Sequence, residues 1–160
     1  MGTKQQILGL VVFLAACYLV AGIGGFVTAP AISGWYGTLP RPAWTPPNWL
    51  FGPVWTLLYT LMAIAAWLVW RRAGVTAVAV PLTLFAVQLA FNLAWTLLFF
   101  GLHRVGLAFL DIVLLWLAIL ATLIMCWRVT PVAGWLLLPY LLWVSYASTL
   151  NFGIWRGLGR

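Results

Sequence analysis

Five apolar runs, each bounded by charged residues, glycine or proline, occupy most of this chain of 160 residues. They cover residues 7–28, 49–70, 78–101, 105–127 and 132–155. A helix needs about 20 consecutive apolar residues to cross the hydrocarbon core of a bilayer, so each run can span a membrane with some tilt. We therefore predict an all-α membrane protein, in which residues 1–160 form a single bundle of five transmembrane helices.

The composition supports the same conclusion. Hydrophobic residues make up 66% of the chain and charged residues 6%, which is too little polar surface to cover a water-soluble protein. Eight basic residues and one acid give a net charge of +7, but no run of basic residues is long enough to follow a nucleic-acid backbone. We expect these cations to anchor helix ends at the membrane surface, and we expect no nucleic-acid partner.

The connections between the runs predict how the helices are arranged. Three of them are only a few residues long, so sequential helices are expected to lie antiparallel beside one another. The fourth is a lid loop at about residues 29–48, whose prolines exclude helix and strand and restrict the backbone. These prolines are Pro40, Pro42, Pro46 and Pro47.

The positive-inside rule does not orient the bundle. The basic residues on the N-terminal side are Lys4, Arg71, Arg72 and Arg128, and those on the other side are Arg41, Arg104, Arg156 and Arg160. Because the two sides carry equal numbers of basic residues, the orientation stays open. The five apolar runs predict an integral, multi-pass membrane location, and the particular membrane also stays open.

The third run carries a polar stripe and a series of small residues. Its stripe, at helical spacing, consists of Gln88, Asn92, Trp95 and Phe99. Amides are costly in hydrocarbon unless they find partners, so this face is predicted to look into the bundle, where it bonds to other helices or to a ligand. On roughly the opposite face lie Ala86, Ala90 and Ala94. Small residues four apart allow close helix approach, so we predict a homodimer with the third helix at its interface.

Aromatic and small side chains recur at helical spacing in the second and fifth runs. The positions are Trp55 and Tyr59 in the second run, and Trp143, Ala147, Leu150 and Asn151 in the fifth. A wide aromatic side chain, a small gap and an amide on one face form a slot for a flat group. Aromatic side chains from two helices can stack on a planar apolar ligand, while the amides and Tyr59 satisfy its polar rim.

Two isolated polar residues have open roles. Asp111 is the only acid and lies within the fourth run, where a carboxylate either marks a functional site or braces the bundle by hydrogen bonding. His103 lies in a short loop, either as ordinary polar surface or as the one plausible nitrogen ligand for a haem iron or another metal. We predict no metal site. The sequence contains no paired carboxylates, phosphate loop or nucleophile–histidine set for ordinary acid–base or nucleophilic catalysis.

Three stretches of the sequence resemble a known family. They are "WYGTLPRPAWTPPNWLFGPVWTLLYTLM" at 35–62, "QLAFNLAWTLLFFG" at 88–101 and "PYLLWVSYASTLNFGIWR" at 139–156. Together they resemble the tryptophan-rich sensory protein and translocator protein family, also called the peripheral benzodiazepine receptor family. The resemblance implies a five-helix bundle, commonly dimeric, with a pocket under the first long loop. It also implies binding of porphyrins such as protoporphyrin IX, of sterols, and of synthetic isoquinoline or benzodiazepine ligands.

The family's pocket carries over to specific positions of this sequence. By this resemblance the ligand-binding residues are Tyr36, Trp55, Tyr59, Gln88, Asn92, Trp95, Trp143, Ala147 and Leu150. The family's sterol-recognition pattern is incomplete, because Phe152 stands between Leu150 and Arg156 where a tyrosine is expected. The sequence therefore supports porphyrin binding more than sterol binding.

Three functions follow as hypotheses. The first is a membrane receptor, sensor or carrier that binds protoporphyrin IX and related flat apolar ligands and requires no cofactor. The second is an enzyme that degrades porphyrin in light and oxygen, with Trp55 and Trp143 as catalytic residues, because an excited porphyrin can take an electron from an indole. The third is a structural or regulatory partner whose ligand only shifts its interactions. Product formation separates the second from the first, and ligand-independent activity favours the third.

Overall fold

The computed structural model describes residues 2–159, with residues 73–77 described by their backbone only. Over that range the chain forms five long helices and no strands. They are α1 (Thr3–Ser33), α2 (Phe51–Ala77), α3 (Ala79–Thr96), α4 (Val105–Val129) and α5 (Pro131–Leu158). Each contains a stretch long and apolar enough to cross a membrane. The predicted all-α membrane fold is confirmed.

The order of helices around the bundle is α1, α2, α5, α4 and α3. Helix α4 packs on α3 and on α5, as the short connections between them predict. Helix α1 also packs on α2, although the long lid loop joins them. Helix α2 packs mainly on α1 and α5 and only lightly on α3. The prediction that helices joined by a short connection lie beside one another is therefore wrong for α2 and α3, where the chain crosses to the other side of the bundle. This arrangement leaves a space at one end of the bundle that α1, α2, α3 and α5 share.

Helix α1 is longer than the first apolar run. It continues through Pro30 to Ser33, so the first residues of the predicted lid loop are helical. A proline removes one backbone donor and normally ends or kinks a helix. Within a membrane, however, backbone groups must be satisfied inside the segment, which favours continuing the helix. The later part of the lid loop contains only two short 3-10 turns, at Trp35–Thr38 and Asn48–Leu50.

Helix α3 ends in a π-helical segment, Leu97–Gly101. Such wide turns are rare and are often found at functional sites. Here the segment places Phe99 and Phe100 against Tyr36 of the lid loop, with ring centroids 6.3 and 5.7 Å apart. The lid loop therefore rests on an aromatic layer at the end of α3.

The lid loop also packs tightly on two glycines of α5. A Cβ added to Gly153 would lie 2.6 Å from Cγ of Pro42, and one added to Gly157 would lie 2.9 Å from Cγ of Pro40. Any larger residue at either position would push the loop away from the helix. The prolines that restrict the loop thus also form its contact surface with α5.

Two further contacts hold the lid loop in place. The Tyr146 hydroxyl of α5 donates a hydrogen bond of 2.5 Å to the carbonyl oxygen of Trp44. The indole of Trp35 stacks on the imidazole of His103, with ring centroids 4.0 Å apart and an interplanar angle of 15°. His103 adopts a positive φ of 56° in the α3–α4 connection, a conformation in which non-glycine residues are uncommon. His103 thus links that connection to the lid loop.

Candidate functional site

A cavity of about 360 Å³ lies at the lid end of the bundle, between α1, α2, α3 and α5. Small-molecule sites typically have volumes of about 300–1,000 Å³ and mostly apolar walls with a few polar groups. This cavity fits that description, because aromatic, glycine and alanine residues form most of its wall.

The structure brings most of the predicted ligand-binding residues to this cavity. The predicted residues that line it are Trp55, Tyr59, Asn92, Trp95, Trp143 and Ala147. The other three, Tyr36, Gln88 and Leu150, lie behind the wall with exposed fractions of 3%, 1% and 6%. Tyr36 is separated from the cavity by Phe100, whose ring it contacts.

The two predicted catalytic tryptophans have indole N–H groups that remain available. Among the described residues, neither Trp55 nor Trp143 donates a hydrogen bond, whereas the indole of Trp95 donates to Oδ1 of Asn151 at 2.9 Å. Trp55 lies beside Tyr59, with ring centroids 5.6 Å apart. Two half-buried aromatic rings with unpaired N–H groups can therefore stack on a ligand and also donate to its acceptors.

The polar groups on the deep side of the cavity already bond to one another. The Tyr59 hydroxyl donates to Oδ1 of Asn92 at 2.6 Å, and Nδ2 of Asn92 donates to the Tyr140 hydroxyl at 2.8 Å. This chain of hydrogen bonds joins α2, α3 and α5 and carries no formal charge. The sequence predicts that these groups satisfy the polar rim of a ligand, but in this structure they satisfy each other.

Gln88 lies one turn deeper in the same stripe. Its Nε2 approaches Sδ of Met62 at 3.8 Å, and its Oε1 has no hydrogen-bond partner within the described part of the chain. A buried amide oxygen without a donor is costly. Gln88 therefore faces the bundle interior, as its stripe predicts, without reaching the cavity.

Asp111 is buried on α4, away from the cavity wall. No hydrogen bond to its carboxylate occurs among residues 2–159, and its Oδ2 is both buried and unpartnered. One of the two roles that the sequence suggests for Asp111 is a hydrogen bond that braces the bundle. Asp111 does not form such a bond with any described residue. His103, the other isolated residue, belongs to no group of three or more potential metal ligands in the described chain.

Sequence reasoning missed the wall that α1 contributes. Its members are Ala21, Gly24, Gly25, Thr28, Ala29 and Ile32. Glycine and alanine create space because their side chains are absent or small, so they produce no amphipathic pattern of the kind that marks α3. The cluster of small residues between Ala21 and Gly25 was the one available signal. Also missed were Asn48, Phe51, Gly52, Thr56, Thr96 and Phe100.

The predicted interface alanines lie on the outside of the bundle. Ala86 and Ala90 are exposed and Ala94 is half-buried. Their face is opposite to the polar stripe, where Asn92 is 2% exposed. The surface that the sequence assigns to a second copy of the chain is thus open in the monomer.

Comparisons with known proteins agree over nearly the full chain. The TspO/MBR family model matches residues 13–156. Protein CrtK of Rhodobacter capsulatus is 44% identical over 91% of this chain and 89% of its own length. Tryptophan-rich protein TspO of Chlorobaculum tepidum is 43% identical, covering 94% of this chain and 96% of its own. Translocator protein of Homo sapiens is 40% identical, covering 86% and 85%. With the five apolar helices, this similarity confirms the predicted integral, multi-pass membrane location.

Proposed function

Because the chain belongs to the TspO/MBR family, we propose that it is a membrane receptor, sensor or carrier whose cavity binds protoporphyrin IX or a related flat, apolar tetrapyrrole. The observation that carries this proposal is the composition of the cavity wall. Trp55 and Trp143 offer aromatic faces and unpaired N–H groups, while Gly25 and Ala147 leave room beside them. A planar macrocycle with polar atoms at its centre and edge matches these features.

A spectral titration in darkness tests this proposal. Purified protein in mild detergent is titrated with protoporphyrin IX, and the porphyrin absorption band and tryptophan fluorescence are followed. We expect a saturable shift at one porphyrin per chain. A linear, unsaturable change would mean partition into detergent and would contradict the proposal.

A second candidate function is the degradation of bound porphyrin in light and oxygen. The placement of Trp55 and Trp143 in the cavity wall, with no hydrogen bond to hold either N–H, favours it. An excited porphyrin takes one electron from an indole, leaving an indole radical cation and a porphyrin radical anion. The radical anion adds oxygen at the macrocycle, and return of one electron to the indole radical cation leaves an oxygenated porphyrin and the starting indole. This route needs none of the acid–base residues that the sequence lacks.

Substitution of the two tryptophans separates the candidates. Trp55→Phe and Trp143→Phe keep an aromatic ring but remove the oxidisable indole. We expect both variants to bind porphyrin in darkness and to lose most of any light-dependent product formation. Degradation at the parent's rate by both variants would restrict the tryptophans to a lining role. If the parent forms no more product than free porphyrin does, the enzymatic candidate is excluded.

Sterol binding and dimerisation remain part of the proposal. A sterol is flat and apolar enough for the same cavity, although Phe152 interrupts the family's sterol pattern. A homodimer is proposed through Ala86, Ala90 and Ala94, because small exposed residues on one helix face allow two helices to approach closely.

A further inference from the structure

An open groove in the lid loop adjoins the cavity. Its polar side chains are Arg41, Thr45 and Asn48, and prolines and the ring of Trp49 form most of the remainder. Asn48 lines both the groove and the cavity. A molecule whose body fills the cavity can therefore extend a short arm past Asn48 into the groove.

Arg41 has no carboxylate partner within the protein's side chains. Asp111 is the only acid in the sequence, and it is buried on α4. The Arg41 guanidinium instead lies over the ring of Tyr36, 5.3 Å from its centroid. That contact positions the cation but does not neutralise it.

Tyr36 itself does not serve as the counter-ion. Burial raises the pKa of the Tyr36 phenol, although the neighbouring Arg41 guanidinium acts in the opposite direction. The phenol therefore stays neutral at physiological pH. The Asn48 side chain is exposed and makes no hydrogen bond to the described residues. The groove thus holds an unpaired cation and an unpaired amide donor at the cavity's edge.

We propose that Arg41 and Asn48 form an anion subsite that receives a carboxylate of the ligand whose flat body occupies the cavity. This inference rests on the proposed function and narrows its ligand class to planar apolar molecules with carboxylate arms on one edge, such as a dicarboxylate porphyrin. A guanidinium recognises a carboxylate through paired, charge-assisted hydrogen bonds, and an amide N–H adds a third donor. A sterol has no such group and gains nothing from the subsite.

The groove and the cavity share Asn48, and this adjacency favours a ligand carboxylate over a lipid headgroup. An anion that belongs to the cavity's ligand is held near Arg41 by that ligand's apolar contacts, so the second interaction is intramolecular. A lipid phosphate gains no such advantage from the cavity. The two sources therefore differ in whether Arg41 affects binding inside the cavity.

Comparison of protoporphyrin IX with its dimethyl ester tests the subsite. The two share the macrocycle and differ in the charge of the propionate arms. Both are titrated in darkness, in a detergent free of phosphate, against the parent, Arg41→Gln, Arg41→Lys and Arg104→Gln. Arg104 is the matched control because it lies on the same side of the bundle and lines neither the cavity nor the groove.

We expect the parent to bind the acid about tenfold more tightly than the ester. Arg41→Gln should lower affinity for the acid to that for the ester and leave the ester unchanged, which also shows that the variant is folded. Arg41→Lys should keep part of the preference, and Arg104→Gln should keep all of it.

Several results would overturn the subsite and leave the proposed function intact. These are equal affinity of the parent for acid and ester, an equal loss of both in Arg41→Gln, or the same loss of acid binding in Arg104→Gln. If Arg41→Gln keeps the acid preference in detergent but loses retention of anionic phospholipid, the cation binds headgroups and the proposal is wrong. If the parent binds neither porphyrin, the proposed function fails and the subsite fails with it.

Discussion

Two glycines of α1, Gly22 and Gly25, both have empty space where a side chain would be, but only at Gly25 does that space belong to the cavity. A Cβ at Gly25 meets no atom within 4 Å, and Gly25 lines the cavity. A Cβ at Gly22 also meets nothing within 4 Å, but Gly22 is not part of the cavity wall. The space beside Gly25 therefore belongs to the cavity, whereas the space beside Gly22 is the bundle's exterior.

Gly25→Leu should block porphyrin binding without unfolding the protein. The Cβ of the new side chain has no protein atom within 4 Å and lies at the cavity wall, while removal of a helical glycine contributes up to about 1 kcal/mol of stability. Dark titration with protoporphyrin IX should show at least about a tenfold loss of affinity, equivalent to 1.4 kcal/mol. Gly22→Leu is the control and should bind as the parent does. Equal binding by both variants would place the ligand elsewhere.

Asp111→Asn should raise thermal stability. Oδ2 of Asp111 is buried without a hydrogen-bond partner, and an unpartnered carboxyl group inside a membrane bundle costs several kcal/mol when it is ionised. A neutral amide of the same shape should recover about 1–3 kcal/mol. Thermal unfolding in detergent measures the change, and porphyrin affinity should stay constant because Asp111 does not line the cavity.

The reverse substitution, Asn92→Asp, provides the comparison. It removes the donor to Tyr140 and introduces a buried charge, so it should lower thermal stability. For Asp111→Asn, a melting temperature below the parent's would contradict the prediction, because it would mean that the carboxyl group stabilises the fold.

At the level of whole elements, we expect the contact between the lid loop and α5 to control access to the cavity. The contact depends on glycine at two positions, Gly153 and Gly157, because prolines of the loop occupy the space of a Cβ. The groove that Arg41 lines belongs to the same loop. Loosening this contact should affect how fast a ligand leaves more than how it packs inside.

Gly153→Ala should accelerate ligand release. The added methyl group would lie 2.6 Å from Cγ of Pro42, so the loop must shift outward, at a cost of about 1–3 kcal/mol. Stopped-flow displacement of protoporphyrin IX should show a dissociation rate several-fold above the parent's. Gly37→Ala, in the same loop but with nothing within 4 Å of the new Cβ, should leave the rate unchanged. Equal rates in all three proteins would mean that the loop is not a lid.

Helical spacing predicted which face of each helix points into the bundle better than it predicted which residues on that face border the cavity. It identified the inward faces of α2, α3 and α5, because large aromatic and amide side chains mark a face by their chemistry. It did not separate Gln88 from Asn92, since residues one turn apart share a face and only packing decides which one borders empty space. Leu150, placed near Trp143 and Ala147 by helical spacing, lies behind the wall for the same reason. Tyr36, taken from the family resemblance alone, lies in the lid loop behind Phe100. The π-helical end of α3 had no signal in the apolar run.

For the whole molecule, the open alanine face of α3 predicts a second copy of the chain. Ala90→Leu places a large side chain where two backbones should approach, and it should shift the protein toward monomer in a mild detergent or bilayer. Ala16→Leu, on the exposed face of α1, makes the same change away from this face and should not. Light scattering or single-molecule photobleaching measures the stoichiometry. A dimer that persists unchanged in Ala90→Leu would place the interface on another surface.

We propose above all that a planar tetrapyrrole binds inside the bundle, in the gap beside Trp143. Ala147→Phe fills that gap with a ring, whereas Ala90→Leu adds comparable bulk on the outer surface and leaves the cavity unchanged. The decisive measurement is the dissociation constant of protoporphyrin IX for the parent and both variants, in darkness and in one detergent. We predict that Ala147→Phe loses saturable binding while Ala90→Leu retains the parent's affinity. Binding by Ala147→Phe that is as tight as the parent's would contradict the account.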